Sequence, residues 1–168
     1  MSYRIACEHP ERIGAVAGVG APMAVHLVFS CSSQAAVSML LIHGTFDPVL
    51  PWAGNEITIG SDTVRTMLSA TGTLSFWAAR NACLQDSLEV TEEPDLDPED
   101  NTQVRSIVYE TCRDNSRVVF YGIIGGGHTW PGHPFETTFP LGETSMDIDA
   151  TAVIGAFFAQ GEERHRAE

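Results

Sequence analysis

Two short segments hold residue types that could move a proton. Gly125-Gly126-Gly127-His128-Thr129-Trp130-Pro131-Gly132 sets one histidine on a glycine loop directly after the apolar run Val118 to Ile124. His43-Gly44-Thr45-Phe46-Asp47-Pro48 sets an aspartate in a turn just past a second apolar run, Val37 to Ile42. An imidazole can take a proton from a hydroxyl nucleophile and return it to a leaving group. A carboxylate beside it holds the ring in the tautomer this requires and stabilises the imidazolium. Asp47 and His128 are therefore the candidate orienting acid and base of a Ser-His-Asp set. The third member is expected on a sharp strand-to-helix turn of the form G-x-S-x-G, and no serine of the chain stands in that pattern.

For the two groups to meet, the runs before them must be neighbouring strands that end on the same side of a sheet. Val37 to Ile42 is apolar apart from Ser38, as a strand buried on both faces of a parallel sheet would be. Ile13 to Val19 reads as another buried strand, followed by a Gly20-Ala21-Pro22 turn, and Val104 to Tyr109 as an edge strand or hairpin partner. Residues 2–9 read as the end of a helix stopped by Pro10, and residues 23–35 as a helical turn or loop. Ser61 or Asp62 is the expected cap of a helix running to about Arg80. A final helix is expected from Asp147, with Ile148, Ala152, Ile154, Phe157 and Phe158 as its apolar stripe. Alternating strands and helices predict one α/β domain over residues 1–168 with a mostly parallel sheet flanked by helices. Residues 84–103 carry eight acidic side chains and no basic one, and read as a solvated acidic surface excursion.

Each candidate has a plainer alternative. A lone loop histidine needs no function and Asp-Pro is ordinary turn chemistry. It is the pair, in order and each after an apolar strand, that points to catalysis. His43 reads as structural. His133 is either a substrate contact or an exposed loop residue, and Trp52 and Trp130 either line an apolar substrate pocket or pack in the core. The glycines at 125–127 lack the Lys of a phosphate loop. Asp95 to Asp100 has Asp100 where a calcium loop needs glycine and Ser106 where it needs glutamate. His128 and His133 have no zinc-ligand spacing with a cysteine. No cofactor or metal is expected.

A net charge of −13, with 22 acidic against 9 basic residues, argues against a nucleic-acid partner and against anionic membranes. No apolar stretch approaches the ~20 residues of a bilayer span, and residues 1–20 lack the pattern of a signal peptide. The four cysteines, Cys7, Cys31, Cys83 and Cys112, include no C-x-x-C pair and fit a disulfide framework. Of three connectivities, Cys83 with Cys112, flanking the acidic segment, and Cys7 with Cys31 is preferred; four buried free thiols are the alternative. Paired cysteines place the protein outside the cytoplasm.

Met1–Arg12, Leu41–Pro51, Trp77–Cys83, Gly125–Gly132 and Asp147–Thr151 together resemble the secreted polyhydroxybutyrate depolymerase and feruloyl esterase family, serine esterases of the α/β-hydrolase fold. The resemblance covers nearly the whole chain. It implies that Asp47 is the triad acid and His128 the triad base. It also implies that Met1 to Pro10 is the helix directly behind the nucleophile elbow, which places the serine and both oxyanion donors upstream of Met1. The expectation is thus the C-terminal half of an extracellular esterase acting on polyesters or on feruloylated polysaccharide, inactive by itself. A noncatalytic binding domain or pseudoenzyme of the same fold is the alternative.

Overall fold

The computed structural model describes residues 1–31, 35–59, 62–134 and 138–166. Five strands form one sheet in the order β1-β2-β7-β6-β5: β1 Ala15–Val19, β2 Ser38–Gly44, β5 Leu88–Glu92, β6 Gln103–Tyr109 and β7 Val118–Ile124. β1 with β2 and β2 with β7 are parallel, whereas β7 with β6 and β6 with β5 are antiparallel. The sheet is therefore mixed, which corrects the expectation of a mostly parallel one. Parallel return needs a long crossover, and the link from β6 to β7 is a short one, held at Cys112 by a disulfide to Cys83. A second disulfide joins Cys7, in α1 (Ser2–Glu8), to Cys31, at the end of α2 (Val25–Ser30).

β2 is the spine of the molecule, with all seven residues buried. Its alternate side chains enter two different cores. Met39 and Leu41 pack with Tyr3, Leu27, Trp77 and Phe120 on the face covered by α1, α2 and α3 (Ala70–Arg80), while Leu40 and Ile42 pack with Val104, Val119, Ile123 and Phe157 against α4 (Ala150–Arg166). Strict period-2 alternation between two apolar layers is what makes this strand read as a continuous apolar run.

Three elements differ from expectation. Ser61 lies outside the described residues, and Asp62 begins not a helix but strand β4 (Asp62–Arg65), paired antiparallel with β3 (Glu56–Ile59). Their β-branched residues Ile57, Thr58, Ile59, Thr63 and Val64 favour strands. The helix that follows is capped by Ser69, whose Oγ accepts from Gly72 N at 2.9 Å, and it buries Ala70, Thr73, Leu74, Trp77 and Ala78 at helical spacing. The last helix starts not at Asp147 but after Asp149, whose Oδ1 accepts from Ala152 N at 3.0 Å. Its inner stripe is accordingly Ala150, Val153, Ile154 and Phe157, and Ala152 and Phe158 face outward.

The acidic segment contains strand β5, exposed along its whole length, and forms a solvated hairpin arm with β6. Two carboxylates, Asp100 on the arm and Asp147 on the loop before α4, fasten the arm's far end to that loop. Asp147 Oδ1 accepts from Leu96 N at 2.7 Å, and Asp100 Oδ2 accepts from Met146 N at 2.7 Å. Among the described residues no helix is long and apolar enough to cross a membrane.

Candidate active site

β2 and β7 are parallel neighbours, so their carboxyl ends emerge side by side, and the loops that follow carry Asp47 and His128. The two loops are laced together by their backbones. Thr45 N donates to Ile123 O at 2.9 Å and Phe46 N to Gly126 O at 2.9 Å, while Gly125 N donates to the Thr45 hydroxyl at 2.9 Å. Such contact leaves no room for a side chain at Gly44, where a Cβ would lie 2.3 Å from the Gly126 carbonyl oxygen. The glycine before the aspartate turn is thus required by the loop opposite it.

Asp47 is fully enclosed and its carboxylate is used at both oxygens. Oδ1 accepts from Val49 N and Leu50 N, each at 2.8 Å, and Oδ2 accepts from His128 Nδ1 at 2.8 Å. The Asp47 side chain has no solvent-exposed surface and that of His128 is about one-third exposed. With Nδ1–H donating to the carboxylate, Nε2 of His128 is left as the acceptor, and among the described residues it has no protein partner. This is the tautomer that a base acting on a hydroxyl requires.

His43 supports the same turn from inside. Its Nε2–H donates to Leu50 O at 2.9 Å, which closes the Asp47 loop onto the end of β2. The ring is buried, and burial holds its pKa below the usual histidine value although the Asp47 carboxylate, 3.9 Å away, pulls it the other way. His43 is therefore a neutral, internal clamp in keeping with its structural reading.

His128 opens on a cleft of about 210 Å³ lined by Val19, Gly20, Thr129 and Trp130. Trp130 is pinned there by its indole N–H, which donates to Thr151 Oγ1 at 3.0 Å. Among the described residues Thr129 is the only hydroxyl in this lining, and it is already engaged, donating to Glu143 O at 3.1 Å. The other two pocket candidates lie elsewhere. Trp52 lines a separate apolar cavity of about 270 Å³ with Phe120, Ile107 and Ile124, sharing no wall with the His128 cleft. His133 is half exposed on the surface and sits 3.3 Å from Asp149. Val19 and Gly20, at the end of β1, escaped the sequence reading as site residues. Their only signal was the Gly20-Ala21-Pro22 turn after a predicted strand, which falls at the same sheet edge as the other two loops.

The described residues contain no group of three or more histidines, cysteines or carboxylates placed to hold a metal ion. No protein-family model matches the chain. It is similar to a protein of Nocardia uniformis subsp. tsuyamanensis named "Putative esterase NocK", with 26% identity over 144 residues, 80% of this chain and 40% of the relative. The chain thus spans well under half the length of that relative, and the similarity is to an esterase.

Proposed function

We propose that this chain is the part of a serine carboxylic-ester hydrolase that carries the general base and its orienting carboxylate, on an α/β-hydrolase fold. The observation that carries the reading is the 2.8 Å contact of His128 Nδ1 with the enclosed Asp47 carboxylate at the carboxyl ends of two adjacent parallel strands. Open α/β sheets bind ligands at that end, and the similarity to an esterase agrees with the chemistry.

In this reading a serine from sequence outside these residues meets His128 Nε2. The imidazole takes the hydroxyl proton as Oγ attacks the ester carbonyl, and it gives that proton to the departing alcohol, leaving an acyl-enzyme. Water then repeats the sequence, with His128 again as base, and releases the acid. Asp47 orients the ring and stabilises the imidazolium that forms. The family resemblance supports polyesters or feruloyl esters as substrates, and the two disulfides support an extracellular protein. A second reading is a noncatalytic binding domain, favoured by a cleft whose one hydroxyl is already hydrogen-bonded.

Hydrolysis of a short-chain p-nitrophenyl ester separates the two. The expected result is activity in a chain extended upstream through an in-frame G-x-S-x-G, with His128→Ala lowering kcat/KM by roughly 10⁴-fold or more. Equal hydrolysis by the extended chain and its His128→Ala variant would sink the esterase reading. A folded extended chain with no activity would leave the binding domain in its place.

A further inference from the structure

Gly20 lies one residue beyond β1, buried, with φ +60°. Its amide continues the ladder by donating to Ile42 O at 2.9 Å, so its position is fixed by β2 from one side. On the other side it faces the His128–Asp47 pair. A Cβ built there would stand 3.1 Å from His128 Nδ1, 3.2 Å from His128 Cε1 and 3.7 Å from Asp47 Oδ2. The atoms it would crowd are therefore the imidazole nitrogen that donates to Asp47 and its ring neighbour Cε1, while Asp47 Oδ2 stays at ordinary contact distance.

We propose that Gly20 is a positioning residue for the His128–Asp47 pair, a backbone wall without a side chain against which the imidazole rests while Nδ1 donates to Asp47. The inference rests on the reading of that pair as base and orienter. A methyl group at this place cannot be accommodated by moving residue 20, because β2 holds its amide. Nor can Asp47 retreat, since Val49 N and Leu50 N fix its other oxygen. His128 is the movable partner, one-third exposed and bordered by open cleft. A displacement of a few tenths of an ångström falls on it, and an N–H···O contact loses strength as it lengthens from 2.8 Å or bends. Gly20 thus limits where His128 Nε2 can be presented to a hydroxyl.

Two substitutions separate crowding by Cβ from the cost of a positive φ. Alanine and asparagine place the same Cβ against His128, but asparagine tolerates positive φ far better than alanine. The readout is the proton NMR signal of His128 Nδ1–H in the 168-residue chain, far downfield when it is held by a carboxylate, recorded beside the amide spectrum and the thermal midpoint. The expected result is that Gly20→Asn keeps the fold, yet loses or shifts upfield the Nδ1–H signal to the same extent as Gly20→Ala. A signal retained in both variants overturns the proposal. So does retention in Gly20→Asn with loss in Gly20→Ala, which would assign the effect to backbone strain. If the unsubstituted chain shows no such signal across the pH range, the reading of the pair itself fails, and that outcome is distinct from the other two.

Discussion

The two ends of the sheet are built on different terms. At the parallel end β2 is buried throughout, flanked by β1 and β7, and the loops that leave β2 and β7 hold Asp47 and His128. At the antiparallel end β5 is exposed at every residue, including Leu88 and Val90, and the strand is joined to β6 by cross-strand contacts such as Arg105 with Glu92. The difference teaches where precision is stored. The Asp47–His128 pair hangs from strands packed on both faces, while the acidic arm is a hairpin in water, kept in place by two carboxylates and one disulfide.

Truncating a side chain at each end is the most severe test of that contrast. Leu41→Ala removes a fully buried side chain of β2 and is expected to cost about 2–5 kcal/mol in the free energy of unfolding, measured by urea titration. Val90→Ala, on β5, should stay within roughly 0.5 kcal/mol. Comparable losses would show that the arm is part of the core.

Removing the disulfide at the base of the acidic arm comes next. Replacing Cys83 and Cys112 together by serine opens a cross-link between residues 29 apart and is expected to lower stability by about 2–4 kcal/mol. Amide exchange should report the loosening mainly around the link between β6 and β7, with β2 still protected. Uniform loss of protection would mean that the two ends unfold as one unit.

The smallest effect is a pH dependence at the parallel end. Burial lowers the pKa of His43 in the folded state, so the unfolded chain takes up its proton first. Its contribution to stability is complete above the unfolded value of about 6.5 and is lost as pH falls from there through the folded value. His43→Gln, which can still donate to Leu50 O but does not titrate, should flatten this part of the stability profile. An unchanged acid slope would place its origin in other groups.

The same contrast explains what was legible in the sequence. β2 and β7 could be read because a strand between two apolar layers has no polar alternation, and Val118–Ile124 agrees with its expected limits. The order of Asp47 and His128, each just past such a strand, was enough to bring forward the two side chains now found 2.8 Å apart. β5 was hidden because an edge strand with both faces in water has no burial pattern to display, and its Leu88, Val90 and Thr91 are outweighed by acidic neighbours. Strand β4 lies where a helix is expected, because Val64, Met67, Leu68 and Leu74 fall near helical spacing. The cap that decides the matter, Ser69, stands in the middle of that pattern. Val19 and Gly20 could not be found from residue type, since they contribute backbone shape and bring no reactive group.

The lacing of the Asp47 and His128 loops bears on how this region breathes. Three backbone amides cross between them or to the end of the neighbouring strand, at Thr45, Phe46 and Gly125. Neither loop can swing without dragging the other, so thermal excursions of this corner are shared ones. The separation of imidazole and carboxylate is expected to fluctuate less than the distance of either from the far edge of the sheet. Slow opening is expected to expose both groups in a single event, which amide exchange at Thr45, Phe46 and Gly125 would report as one common rate.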